Sequence, residues 1–198
     1  MFEAVATRVL LDCGFGVREA EARLARLGIE AESVGGILVT HEHSDHANGV
    51  FALAKRYRIP VWISHGTLAA LQEADPAVAD GAELTLVDGH AAFAIGDVAV
   101  QPYTVPHDAR EPVQYVLSDG ARRLGVLTDT GCSTPHIEAT LSGCDALMLE
   151  TNHDLDLLMK GEYPAWLKAR VSGRFGHLDN LASAALLGAL DRSRLRHL

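Results

Sequence analysis

Hydrophobic positions along the chain fall into two alternating patterns: short apolar runs, and longer segments in which apolar residues recur at three- and four-residue spacing between charges. Residues 36–40, 61–63 and 146–149 predict buried strands. Residues 4–12 predict another that ends at Asp12, with Gly14-Phe15-Gly16 as its exit turn. Val17, Ala20, Leu24 and Leu27, with charges between them, predict an amphipathic helix over 17–27 with Gly28 as its C′ residue. Residues 47–57 and 67–74 read as further helices, and this strand–helix alternation signals an α/β layered domain.

Further on, residues 84–87, 92–95 and 97–105 predict consecutive strands joined at Asp88-Gly89 and Gly96-Asp97, and 113–118 pairs with 123–128 across Asp119-Gly120. A short helix over 134–141 begins at Ser133 or Thr134, with Pro135 in its first turn. After the strand at 146–149 the chain is helical in pieces over 155–168, broken at Pro164, and a last helix spans 178–190.

Bulk properties narrow the class. A chain of 198 residues suits a single domain with a real core, or at most two small ones. Membrane-length apolar runs and a cleavable leader pattern are both missing, so the expectation is a soluble, cytoplasmic protein without membrane contact. Cys13, Cys132 and Cys144 are odd in number and lack paired spacing, which fits reduced core thiols better than a disulfide framework. A formal charge of −9 disfavours extended binding to phosphate backbones, although Lys160, Lys168, Arg170 and Arg174 form a local basic run.

Polar bursts follow the predicted strands. The densest is His41-Glu42-His43-Ser44-Asp45-His46, directly after 36–40, and its nitrogen and hard-oxygen donors suit Zn²⁺ or a similar divalent ion. On extended backbone, residues i and i+2 share a face, so His41 and His43 can hold one ion. A turn through Ser44 then brings Asp45 and His46 towards a second. The helical metalloprotease pattern does not apply, because the residue four after His41 is Asp45.

His107, in Pro106-His107-Asp108, completes three nitrogens on the ion held by His41 and His43, and Asp108 either orients it or faces solvent. His153, after the strand at 146–149, is a candidate for contact with substrate or the second ion, and Asn152 for contact with substrate. Arg170 is a candidate for gripping a phosphate through its planar fork. Asp12 sits near the metals or caps a turn, and His65 reads as solvated or capping.

His-x-His-x-Asp-His after an apolar strand resembles the signature of the metallo-β-lactamase fold superfamily of binuclear metallohydrolases. Leu11-Asp12-Cys13-Gly14-Phe15, Pro106-His107-Asp108, Leu127-Thr128-Asp129-Thr130-Gly131, Glu150-Thr151-Asn152-His153-Asp154 and Gly176-His177-Leu178-Asp179-Asn180 look like its WalJ/YycJ-like branch, associated with 5′ exonuclease action on DNA. The likeness covers nearly the whole chain. It implies a four-layer αββα sandwich, two mixed sheets packed face to face with helices outside, forming one domain over 1–198.

The resemblance also implies two divalent metal ions, Zn²⁺ or Mn²⁺, with Asp129 bridging them, Asp45 orienting the nucleophile and His177 donating a proton to the leaving oxygen. Against the family pattern, an opening strand and a closing, ligand-bearing strand are missing. His197 is either the last ligand or the residue entering that closing strand. Two other readings stand beside the nuclease: a thioester, lactone or lactam hydrolase on the same fold, and a metal-binding fragment impaired in catalysis. An aspartic-protease reading of Asp129-Thr130-Gly131 would need a second such triplet.

Overall fold

The structure, a computed structural model, describes residues 1–4 and 6–198. In chain order the elements are β1 (Phe2–Glu3), β2 (Arg8–Leu11), α1 (Val17–Arg26), β3 (Val34–Leu38), α2 (Ser44–Ala47), α3 (Val50–Tyr57), β4 (Val61–Ser64), α4 (His65–Ala74), β5 (Leu84–Val87), β6 (Phe93–Ile95), β7 (Val98–Thr104), β8 (Val113–Ser118), β9 (Arg123–Leu127), α5 (Pro135–Leu141), β10 (Ala146–Leu149), α6 (Leu155–Lys160), α7 (Ala165–Val171) and α8 (Asn180–Ala189). The strands form two five-stranded sheets, ordered β1-β2-β3-β4-β5 and β10-β9-β8-β7-β6. Both are mixed: β2 through β5 run parallel while β1 is antiparallel to β2, and β10 is parallel to β9 while β8 is antiparallel to it.

The chain divides into two compact units, Met1–Pro102 with Ala109–Val113, and Tyr103–Asp108 with Gln114–Leu198. In the first, β3 lies centrally in a parallel sheet, and Ile37, Leu38 and Val39 are all fully buried. Burial on both faces is what a continuous apolar run, rather than an alternating one, encodes. α1, α3 and the parallel strands share one apolar cluster built on Leu24, Ile37, Val50, Leu53, Val61 and Ile63. α1 closes as its sequence predicts. Gly28 takes φ +70°, its N–H donates to Ala25 O, and the Ile29 N–H donates to Leu24 O, which satisfies the last carbonyls of the helix.

The second unit has its own core of Tyr103, Val116, Leu127, Ile137, Leu141, Leu147, Leu178 and Leu186. Tyr103 is buried here because its hydroxyl donates to Val126 O at 2.5 Å. Side-chain caps fix where the helices start. Thr134 accepts from the Ile137 N–H with Pro135 following, Asp154 accepts from the Leu157 N–H, and Asp179 accepts from the N–H groups of Leu181 and Ala182.

Some expectations shift. The strand predicted over 4–12 forms as Arg8–Leu11, its Val5 lying outside the described residues, and an added strand, Phe2–Glu3, pairs antiparallel with it. Ser44–Ala47 forms one helical turn, so the second half of the His cluster is helical and not a simple turn through Ser44. The last helix starts at Asn180, with His177 in the loop ahead of it. His197 makes a parallel bridge to Ala146, at the opposite end of β10 from Glu150. Cys13, Cys132 and Cys144 are free thiols, and burial pushes Cys13 and Cys144 up from the ordinary thiol value. Among the described residues no helix is long and apolar enough to cross a membrane.

Candidate metal centre

In the first unit the parallel strands β2 and β3 end side by side. Asp12 follows β2 directly in the left-handed region at φ 56°, a conformation that costs a non-glycine residue energy and that the surrounding bonds must hold. Its Oδ1 accepts the Thr40 N–H at 2.8 Å, while its Oδ2 accepts the Thr40 hydroxyl at 2.8 Å and lies 2.9 Å from His46 Nδ1. Burial pushes the Asp12 carboxyl above the usual carboxylate range, and the bonds to His46 and Thr40 pull it back.

Because the Thr40 hydroxyl donates to Asp12, it accepts from His41, whose Nδ1 is 2.9 Å away. The lone pair of His41 therefore lies on Nε2, 3.0 Å from His43 Nδ1. Two nitrogens flanking one tetrahedral Zn²⁺ at bond lengths of about 2.0–2.1 Å are separated by roughly 3.3 Å, so the pair fits a shared cation. His46 packs against His41 with ring centroids 4.2 Å apart, its Nδ1 held by Asp12. An imidazole whose Nδ1 is tied to a protein acceptor, leaving Nε2 for a cation, is the arrangement of metal-ligating histidines. Asp45 is placed differently. Its side chain is 79% exposed, with Oδ2 3.5 Å from His46 Nε2.

Close packing fixes this loop. The Cys13 N–H donates to His46 O at 2.7 Å, and a Cβ on Gly14 would stand 1.8 Å from Asp45 O, so only glycine lets the two backbones approach. Glu42 points away from the cluster, accepting the Arg110 N–H at 2.7 Å.

The second unit repeats the construction. β9 and β10 run parallel, and Asp129, at φ 43°, and Glu150 follow their ends. Glu150 Oε2 accepts from the N–H groups of Thr130 at 2.9 Å and Leu178 at 3.3 Å, and its Oε1 lies 2.7 Å from His177 Nδ1. Asp129 Oδ1 is 3.3 Å from the same nitrogen. Donor atoms of Asp129, Glu150 and His177 all lie within 4.8 Å of one another, a grouping able to hold a cation. The Glu150 bond raises the His177 pKa above its ordinary value, helped by the charges of Glu150, Asp129 and Asp108 and opposed by burial.

His107 is buried in this unit, with Nδ1 donating to Gly176 O at 3.0 Å and its ring 5.3 Å from that of His177. A carbonyl only accepts, so His107 too presents its lone pair on Nε2. Arg170 does not stand ready for a phosphate: its Nε donates to Asp108 Oδ2 at 2.5 Å, and Asp108 Oδ1 lies 3.5 Å from His107 Nε2. Asn152 and His153 pair with the segment ahead of α8, through Asn152 N–H to Leu178 O and a bridge between His153 and Asp179.

Glu150 is the member of this candidate site that sequence reasoning did not single out. The signal was present, since it is the first residue after an apolar strand, the same position as Asp12.

A family model described as the beta-lactamase superfamily domain matches residues 7–196. Exodeoxyribonuclease YycJ of Bacillus anthracis is 31% identical over 191 residues, covering 96% of this chain and 72% of its own. Exodeoxyribonuclease WalJ of Streptococcus pneumoniae serotype 2 is 29% identical over 179 residues, covering 90% of this chain and 66% of its own. The crystal structure of Zn²⁺-bound PqqB from Methylobacterium extorquens superposes with a TM-score of 0.72 at 18% identity, over 90% of this chain and 67% of that one, a likeness of fold. These relations point to a metal-dependent hydrolase. With a match from residue 7 to residue 196 and a relative 31% identical over nearly its full length, the chain belongs to the beta-lactamase superfamily.

Proposed function

We propose that the chain hydrolyses phosphodiester bonds in DNA, removing nucleotides from a 5′ end. The observation that carries this reading is the Glu150–His177–Asp129 group: a histidine whose Nδ1 is gripped by two carboxylates, next to a strand-end aspartate of the kind that holds cations. In this reading His41, His43 and His107 would hold one divalent ion, and Asp45, His46 and Asp129 would hold a second. When bound, such ions supply Lewis acidity at a phosphoryl group and activate water near neutral pH. Zn²⁺ suits the imidazole-rich set, and Mn²⁺ is the alternative.

The chain's own groups divide the remaining work. With Nδ1 committed to Glu150, His177 delivers a proton to the departing oxygen through Nε2, and the Glu150 bond, by raising its pKa, favours the protonated form. Asp45, exposed and adjacent to His46, would orient the attacking water. Gly176 O fixes the rotation of His107 by accepting from its Nδ1, and Arg170 holds Asp108 beside that ring.

Purification without chelators, elemental analysis, and assay of 5′- and 3′-labelled oligonucleotides beside a thioester and a chromogenic lactam test the reading. The expected result is bound transition metal and nucleotide release from the 5′ end. Faster turnover of the thioester or lactam would replace it with carbonyl hydrolysis, which the −9 charge suits.

A further inference from the structure

The segment around α6 and α7 spends apolar surface on solvent. Tyr163, Trp166 and Phe175 are 59%, 67% and 57% exposed, although each is large enough to anchor a core. They are interleaved with Lys160, Lys168, Arg170 and Arg174, against a single acidic residue, Glu162, between 160 and 175, in a chain of net charge −9. Part of that charge is engaged: Lys168 Nζ donates to Met159 O, Arg170 to Asp108, and Lys160 lies 3.9 Å from Asp156.

Beneath this face runs a groove of about 250 Å³ lined by Asn152, His153, Leu158, Tyr163, Leu167 and Val171.

We propose that this face binds single-stranded nucleic acid, seating one base in the groove against Tyr163 and stacking the next base on Trp166. The occupant follows from the combination on the page. Flat exposed rings with sequence-tolerant stacking and cations along the same segment match a base-and-phosphate polymer, whereas a protein partner would leave the basic run unexplained. Trp166 and Arg170 are four apart on α7 and share a stripe, as Leu167 and Val171 do on the groove side. At its other end the groove reaches Asn152 and His153, the second and third residues after Glu150 in the chain. The inference rests on the nuclease reading for its purpose, but not for its measurement.

The test is fluorescence anisotropy of a short fluorescein-labelled oligothymidylate titrated with full-length, chelator-treated protein, so that binding is read without hydrolysis. Trp166→Ala and Tyr163→Ala, both at exposed side chains, are expected to weaken binding about tenfold each, Trp166→Phe to retain it, and an abasic oligomer of the same length to bind at least tenfold more weakly. Circular dichroism and the thermal midpoint should not move. Equal affinity for the abasic oligomer, no loss in either alanine variant, no binding by the wild type, or self-association that buries Trp166 in sedimentation would each overturn the proposal. Failure of the nuclease reading would look different: oligothymidylate bound as expected, with no cleavage after metal is restored.

Discussion

Replacing Glu150 by Gln tests the centre of the second unit, because the carboxylate accepts three hydrogen bonds and its side chain is only 7% exposed. An amide of the same shape puts an NH₂ group against either the backbone N–H groups of Thr130 and Leu178 or His177 Nδ1, so one contact becomes donor against donor. Losing a hydrogen bond to a buried charged acceptor costs about 1.5–3 kcal/mol. The His177 share depends on pH, and its sign follows from the direction of the shift. Since the folded pKa is raised above the ordinary value of about 6.5, the added stability is fully present below that value. It is lost as pH rises through the folded pKa, after which the hydrogen bond of a neutral imidazole to the carboxylate remains.

A double-mutant cycle with Glu150→Gln and His177→Asn, followed by urea unfolding in chelator, should therefore show coupling of about 1–2 kcal/mol near pH 5.5. As pH rises through the folded pKa the coupling should fall towards that of the single Nδ1–H···carboxylate bond that a neutral His177 still makes. Histidine NMR should show the His177 titration moving down in Glu150→Gln. Additive single mutants below the folded pKa, or a coupling that grows with pH, would refute the account of the pair.

Gly14→Ala forces a Cβ onto Asp45 O, so the His41–His46 loop must shift; unfolding should show a loss of about 1–3 kcal/mol, and elemental analysis a drop in bound metal. Thr40→Val deletes the buried hydroxyl shared by Asp12 and His41 and should cost about 1–3 kcal/mol, recovered largely by Thr40→Ser, as thermal unfolding of chelated protein will report. Ile37→Ala, at a fully buried position of β3, should cost about 2–5 kcal/mol in denaturant unfolding. Leu157→Ala, at a side chain 71% exposed, should stay within about 0.5 kcal/mol.

Most elements were legible because strand ends and helix ends carry local signals. Gly28 ends α1 through a positive φ that glycine adopts without strain, and Thr134-Pro135 opens α5 through a side-chain cap and a missing N–H that a first helical residue does not need. What was not legible depends on partners distant in sequence. Phe2–Glu3 is too short to show periodicity and is a strand only because β2 offers it an edge. Ser44–Ala47 folds as one helical turn through the hydrogen bonds of the His46 and Ala47 N–H groups to His43 O, which polar composition does not announce. The commitment of Arg170 to Asp108, sixty-two positions away, was equally invisible to a reading that took its fork as open.

The two units solve one problem in the same way, and this explains why carboxylates rather than histidines terminate the strands. In each, two parallel strands end together, and the first residue past one of them donates its N–H to the last carbonyl of its neighbour: Asp12 to Leu38 O and Glu150 to Leu127 O, both at 2.8 Å. One carboxylate oxygen of that residue then accepts a threonine N–H just past the neighbouring strand, Thr40 or Thr130, and the other grips a histidine Nδ1, that of His46 or His177. A side chain with two acceptor oxygens performs both tasks at once, tying the loop to the sheet while fixing the rotation of an imidazole; an amide or a hydroxyl performs only one. Thus the histidines are aimed by the sheets themselves, and Asp12→Asn should loosen His46 for the reason that Glu150→Gln loosens His177. If Asp12→Asn leaves the His46 ring resonances and the unfolding midpoint of the chelated protein unchanged while Glu150→Gln disturbs His177, the parallel between the two units is one of geometry alone.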